Sequence, residues 1–99
     1  MAMQVRNMKN AKGRSVVNQF IIENESKTMF QSYDSPIVEI DREKKIITVF
    51  KDYNYSRTTA KYRNQFMYGQ GFRDMDTFKK FNYYMNLGAI GDFEIVKAF

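Results

Sequence analysis

The sequence contains no cysteine and no histidine. Without cysteine the chain can form neither a disulfide bond nor a thiol nucleophile, which favours a reducing compartment. Without histidine it lacks the usual general base near neutral pH, and the two absences together exclude zinc-finger ligation and Cys–His or Ser–His nucleophile pairs. We therefore expect no bound metal, no cofactor and no enzymatic activity.

The chain also has no apolar run long enough to cross a membrane, and its N-terminus has no signal-peptide core. We therefore expect a soluble protein inside the cell. A length of 99 residues supports one hydrophobic core. Hydrophobic residues make up 43% and aromatic residues 16%, which is too much for a disordered chain. We predict a single domain over residues 1–99 that folds alone or as a small homo-oligomer, such as a homodimer.

Positive charge is concentrated in two regions of the chain. The net charge is +5 and the isoelectric point is near 9.5. Residues 1–33 carry five basic and two acidic side chains, and residues 53–82 carry six and two, whereas residues 34–52 carry four and five. If the fold brings the two basic regions together, they form a positive face that attracts anionic partners at long range.

Residues 53–73 contain no acidic side chain and interleave cations with aromatic rings. Cationic groups neutralise phosphates, and aromatic rings offer flat faces on which bases stack. This mixture also occurs in ordinary amphipathic helices, so both interpretations stay open. The cations of the segment are Arg57, Lys61, Arg63 and Arg73, and the rings are Tyr53, Tyr55, Tyr62, Phe66, Tyr68 and Phe72.

The same segment is predicted to be a helix that Ser56 caps at its start and Gly69 ends in a left-handed conformation. Arg63 falls beside the apolar sector, so we expect it either to run its stem along the core edge to solvent or to pair with a carboxylate. A spacing of 3.6 residues per turn divides the other side chains into two sectors. Thr59, Tyr62, Phe66 and Met67 should face a core, and Arg57, Lys61, Asn64 and Tyr68 should face water or a ligand.

The N-terminal half alternates polar and apolar residues in the manner of strands. Residues 15–22, 28–33, 37–40 and 45–50 predict an antiparallel meander of three to four strands, with a turn signal at Asp34-Ser35-Pro36. Residues 4–14 are basic and carry few apolar side chains. They are consistent with a mobile basic arm or with an edge strand followed by a turn at Lys12-Gly13.

The C-terminal part adds a helix and a last strand. Residues 76–87 have helical periodicity, with Asp74 or Asp76 as the start signal and Gly88 as the end signal. Residues 92–99 alternate again and predict a closing strand. The fold class that follows is α+β: an antiparallel meander, an αα hairpin packed on the sheet, and a closing C-terminal strand.

Three blocks carry a resemblance to known proteins: NQFII at residues 18–22, FQSYxS at 30–35 and DYxYSxTTxKYRN at 52–64. In this order they resemble a family of small uncharacterised proteins encoded by bacteriophages and other mobile elements. The resemblance covers roughly the first two thirds of the chain. It implies an accessory protein in the cytoplasm of a bacterial host, where such proteins often bind and disable host factors, including CRISPR machinery. It implies no functional residue.

We predict non-enzymatic binding to nucleic acid or to a host complex that handles nucleic acid, including an anti-CRISPR role. The alternative is a protein-interaction or homo-oligomeric module without nucleic-acid contact, which uses the exposed aromatics Tyr53, Tyr55, Tyr83 and Phe99. A third candidate is a metal-dependent nuclease with Asp34, Glu43 and Lys45. The residues expected to bind nucleic acid or a partner are Arg57, Lys61, Arg63 and Tyr68, together with Arg6, Lys9, Lys12 and Arg14 of the N-terminal region.

Overall fold

The computed structural model describes residues 3–99. Within them, seven strands form one sheet and two α-helices follow the fifth strand, which confirms the α+β class. The strands are β1 (Gln4–Lys9), β2 (Ser15–Glu23), β3 (Lys27–Ser32), β4 (Ser35–Asp41), β5 (Ile46–Val49), β6 (Ala89–Ile90) and β7 (Phe93–Lys97), and the helices are α1 (Arg57–Gly69) and α2 (Phe78–Leu87).

The strand order across the sheet is β1-β2-β3-β4-β5-β7-β6. Strands β1 to β5 are joined as consecutive antiparallel hairpins. Strand β7 pairs with β5 in parallel because the chain crosses through both helices before it returns, and β6 pairs antiparallel with β7. The predicted closing strand is therefore present. The predicted meander of three to four strands is smaller than the observed sheet, because β1 extends the sheet at one edge and β6 and β7 extend it at the other. The parallel pairing of β7 with β5 makes the sheet mixed.

Residues 4–14 form the edge strand β1 and a tight turn, the second of the two structures left open by the sequence. The side chain of Asn10 closes this turn, since its Oδ1 accepts hydrogen bonds from the backbone N–H of Lys12 at 2.9 Å and of Arg14 at 3.1 Å. Asparagine is favoured in turns because its short side chain bonds to nearby backbone in this way. The turn holds its two cations in place instead of leaving them on a mobile arm.

Both helices cover one face of the sheet. On β3 the predicted alternation is confirmed, because Thr28, Phe30 and Ser32 are buried while the residues between them are only half-buried. Phe30 stacks on Phe66 of α1 with ring centroids 5.8 Å apart. Phe81 of α2 joins the same cluster of buried residues. Among residues 3–99 no helix covers the opposite face of the sheet.

The helix ends follow the sequence signals in part. Ser56 caps α1, since its Oγ accepts a hydrogen bond from the backbone N–H of Thr59 at 3.1 Å, and Gly88 ends α2 with φ 85°. Gly69 is the last residue of α1 and is not left-handed; that conformation occurs at Gly71, with φ 97°. Thr77 caps α2 instead of the predicted aspartates. Among residues 3–99, neither helix is both long and apolar enough to cross a membrane.

Candidate nucleic-acid interface

Helix α1 has one buried and one exposed side, as its periodicity predicts. Thr59, Tyr62, Phe66 and Met67 are buried against the sheet and α2. Arg57, Lys61 and Tyr68 are exposed, and Asn64 is half-buried. The helix contains no acidic residue, so nothing on its own exposed side offsets the positive charge.

Arg63 does not belong to that exposed side. It is fully buried, and its guanidinium donates to the carbonyl oxygen of Tyr53 at 2.7 Å and to Oδ1 of Asn64 at 2.8 and 3.1 Å. Its Cζ also lies 4.3 Å from the ring centroid of Phe81. Both expectations for Arg63 were wrong, because its side chain does not reach solvent and, within residues 3–99, it pairs with no carboxylate. Because Arg63 is fully buried, it is also not accessible as the binding residue that the sequence predicted.

Burial lowers the pKa of Arg63. Loss of hydration lowers the pKa of Arg63 from its usual value to about 10, and the nearby Tyr53 acts in the opposite direction. The group is therefore still protonated at neutral pH. A buried guanidinium without a carboxylate is tolerated here because its donors meet oxygen atoms and its flat face meets aromatic rings. Arg63 is a structural residue at the junction of α1, α2 and the segment before α1.

Strand β1 lies beside α1 and adds cations to its exposed side. The side-chain amide of Gln65 donates to the carbonyl oxygen of Lys9 at 2.6 Å, which fixes the strand against the helix. Lys9 is exposed and has no carboxylate partner within residues 3–99. Arg6 forms an ion pair with Glu23 on the neighbouring strand. Of the predicted β1 residues, Lys9 therefore contributes free positive charge and Arg6 is largely neutralised.

The turns of the sheet alternate between two ends. The β1–β2 and β3–β4 turns share one end, here called the upper end, and the β2–β3 and β4–β5 turns share the lower end. Helix α1 begins at the upper end, where Oγ1 of Thr59 is hydrogen-bonded to Oγ of Ser32, the last residue of β3, at 2.9 Å. Lys12 and Arg14, in the β1–β2 turn, therefore lie at the same end as Arg57.

Arg73 extends this surface near the C-terminal end of α1. Its Cζ lies 5.4 Å from the ring centroid of Tyr68, the geometry of a cation–π contact. An acid of this region, Asp76, is paired with Lys80 at 3.3 Å. The sequence placed Arg73 in the acid-free segment but did not single it out. We define the basic surface as the exposed residues Lys9, Lys12, Arg14, Arg57, Lys61, Tyr68 and Arg73.

The geometry removes the metal-nuclease candidate. Asp34 precedes β4 at the upper end, and Glu43 and Lys45 follow it at the lower end. A seven-residue strand is roughly 20 Å long, far beyond the reach of two ligands of one ion. Within residues 3–99 no three acidic side chains are grouped closely enough to hold a metal ion.

The chain was compared with known proteins in three ways. A family model described as a family of unknown function (DUF8033) matches residues 3–82. The comparison with curated proteins and the comparison with solved structures each gave no match. These comparisons assign no function, so the basic surface is the basis for the proposal below.

Proposed function

We propose that this chain, which belongs to DUF8033, a family of unknown function, binds nucleic acid without enzymatic activity. The proposed binding site is the basic surface. The contacts would be mainly to phosphates, which lysine and arginine side chains neutralise with release of counterions. Tyr68, with Arg73 stacked on it, adds one aromatic face.

The observation that carries this proposal is that the cations of the basic surface are free. Within residues 3–99 there are three ion pairs, and their cations are Arg6, Lys45 and Lys80. None of these belongs to the basic surface. A charge already paired on the protein gains little from a phosphate, whereas a free and hydrated cation gains the full attraction. Within residues 3–99 the fold therefore leaves the cations of the basic surface without an ion-pair partner.

The proposal is tested with a labelled single-stranded oligonucleotide at low salt, followed by fluorescence anisotropy. The variant Arg57→Ala/Lys61→Ala removes two charges from the basic surface and should weaken binding on the order of tenfold. The control Lys27→Ala/Lys44→Ala removes two exposed charges from the lower end of the sheet. Because both variants have the same net charge, equal loss of affinity in the two would contradict the proposal.

A second candidate function is homo-oligomerisation through the uncovered face of the sheet. Val5, Ile22 and Met29 lie side by side in register on that face. Val5 is 60% exposed, and the other two are half-buried. An apolar row of this kind is common at protein–protein interfaces. The replacement Met29→Lys should then dissociate a dimer in analytical ultracentrifugation, and an unchanged monomer would exclude this function.

The exposed aromatics proposed for such an interaction differ in accessibility. Tyr53 is half-buried, with its ring stacked between Phe81 at 6.0 Å and Phe99 at 5.8 Å, so it is not an exposed contact. Tyr55, Tyr83 and Phe99 are 73%, 60% and 59% exposed. A bacteriophage origin, action on a host complex in the bacterial cytoplasm and an anti-CRISPR role stay predictions from the sequence resemblance.

A further inference from the structure

A cleft of about 660 Å³ lies at the upper end of the sheet, between the β3–β4 turn and the start of α1. This volume falls within the range of small-molecule sites, roughly 300–1,000 Å³. Its buried lining residues are Ser32, Ile37 and Thr59, and the hydroxyl groups of Ser32 and Thr59 are hydrogen-bonded to each other. Tyr33, Asp34, Tyr55 and Ser56 also line the cleft.

Two tyrosine rings at this cleft are exposed. Tyr33 is 50% and Tyr55 is 73% exposed. Within residues 3–99, neither ring stacks on another aromatic ring or lies under a cation. Both rings therefore have faces free for a flat ligand at the same opening.

Tyr33 is held in a backbone conformation that rarely suits it. Its φ is 55°, in the left-handed region that glycine and asparagine adopt easily and bulky residues avoid. Its N–H donates to the carbonyl oxygen of Asn18 at 2.7 Å, and its own carbonyl accepts from Nε2 of Gln31 at 2.7 Å. The turn would therefore form more easily with asparagine at this position. Contact with a ligand explains the presence of an aromatic ring at this position better than a role in folding does.

The lining of the cleft selects the chemistry of that ligand. Asp34 is its only charged side chain, and no lysine or arginine among residues 3–99 lines it. A carboxylate among hydroxyl groups repels phosphate but accepts hydrogen bonds from an exocyclic amine, as carboxylates do from cytosine N4. Arg57 lines an adjoining groove that shares Ser56 with the cleft. A flat polar group can thus enter the cleft while an attached phosphate stays beside Arg57.

We propose that this cleft takes an unstacked, amine-bearing nucleobase of a single-stranded nucleic acid whose phosphates lie on the basic surface. This inference rests on the proposed function and names its substrate class. A base inside a duplex cannot enter, because its faces and its pairing edge are already occupied. The protein should therefore bind a single strand more tightly than a duplex of the same length and sequence.

The test measures the affinity of Tyr33→Asn and Tyr55→Ala for a labelled single strand and for the matched duplex. Each variant should bind the single strand about tenfold more weakly, since that is the usual loss for one stacked base, and should bind the duplex as the wild type does. Tyr33→Asn should also unfold at the same or a higher temperature, because asparagine suits its backbone. The control is Tyr83→Ala, which removes a similarly exposed ring from α2 and should change neither affinity.

The outcomes separate the two proposals. If the wild type and both cleft variants bind single strand and duplex alike, with salt-dependent affinity, the cleft proposal is wrong and the proposed function stands. If the wild type binds neither, both are wrong. If Tyr33→Asn lowers the unfolding temperature and all affinities together, the ring has a structural role and the cleft proposal is again wrong.

The role of Asp34 has a separate readout. The wild type should bind oligo(dC) more tightly than oligo(dT), because thymine has no exocyclic amine for the carboxylate to accept from. In Asp34→Ala that ratio should fall toward one, although both affinities rise as a negative charge is removed. A wild-type protein without preference for oligo(dC), or an unchanged ratio in the variant, would overturn the assignment of an amine-bearing base.

Discussion

Arg63 and Arg57 lie in the same helix, and the molecule uses their charges in opposite ways. Arg63 is fully buried with its donors satisfied and its flat face against Phe81. Arg57 is exposed, with no carboxylate partner within residues 3–99. The charge of a residue therefore does not by itself indicate its role. The role of an arginine depends on its surroundings. The rest of the chain either supplies oxygen atoms and aromatic rings to the guanidinium or leaves it in water.

The partners of residue 63 on the buried side of α1 explain why this residue is an arginine. A lysine there would offer a compact ammonium group, which cannot span the carbonyl oxygen of Tyr53 and the amide oxygen of Asn64 in one plane. The guanidinium reaches both and still presents a face to the ring of Phe81. We infer that Arg63 joins α1 to α2 and to the preceding segment, so that the exposed side of α1 is held in a fixed position.

The largest expected effect distinguishes the two arginines by stability. Arg63→Ala should lower the free energy of unfolding by about 3 kcal/mol, because it leaves a cavity and deprives two oxygen atoms of their donor. Arg57→Ala should change it by less than about 0.5 kcal/mol, since the side chain is exposed. Urea denaturation followed by circular dichroism measures both. Equal effects would remove the distinction between the two sides of α1.

The contribution of Arg63 to stability should also depend on pH. Because burial lowers the pKa of Arg63 to about 10 on folding, the unfolded chain binds more protons than the folded protein in the pH range that begins at about pH 10. The contribution of Arg63 to stability should therefore rise with pH through this window, by about 1 kcal/mol per pH unit, and stay constant below it. The measurement is the difference in unfolding free energy between wild type and Arg63→Met from about pH 8 to about pH 11. A difference that falls above about pH 10 would contradict the burial of a protonated Arg63.

A smaller effect concerns the start of α1, on which both sides of the helix depend. Ser56→Ala removes the hydrogen bond to the N–H of Thr59 and should cost about 1 kcal/mol of unfolding free energy. Thr58 is exposed, and within residues 3–99 the capping bond of α1 comes from Ser56. Thr58→Ala is therefore the matched control and should cost less than about 0.5 kcal/mol. If the two replacements are equivalent in urea denaturation, Ser56 does not cap the helix.

The smallest effect lies at the other end of α1. Gly69 is helical, and a Cβ added to it would meet no atom within 4 Å. Gly69→Ala should therefore raise the free energy of unfolding by about 0.5 kcal/mol, because alanine loses less backbone entropy in a helix. Gly71→Ala should instead lower it, since φ at Gly71 is 97°. Thermal unfolding of the pair gives the signs, and a loss of stability in Gly69→Ala would contradict its helical conformation.

Local spacing was enough to predict part of this structure. The two sides of α1, the cap at Ser56 and the end of α2 at Gly88 each depend on residues within a few positions of one another. The end of α1 was predicted wrongly because it is set by backbone bonds of the loop, in which the N–H of Phe72 donates to the carbonyl oxygen of Met67 at 2.9 Å. That bond places the left-handed residue at Gly71 instead of Gly69.

The burial of Arg63 was outside the reach of such reasoning. Its partners Tyr53 and Phe81 come from segments on either side of α1, and only the tertiary fold brings them to the guanidinium. The cleft is a similar case, because it forms where the β3–β4 turn meets the start of α1. For Lys12 and Arg14, the sequence predicted two cations of the site, but only the alternation of turns shows that they share an end with Arg57.

The salt dependence of binding to a single-stranded oligonucleotide shows whether the basic surface contacts phosphates. Each phosphate that the protein no longer neutralises should make the slope of log K against log salt shallower by about 0.7. Arg57→Ala/Lys61→Ala should therefore reduce the slope by about 1.4 relative to wild type, whereas Lys27→Ala/Lys44→Ala should leave it unchanged. If the two double variants have the same slope, the exposed side of α1 does not bind phosphates, and the basic surface is not a nucleic-acid interface.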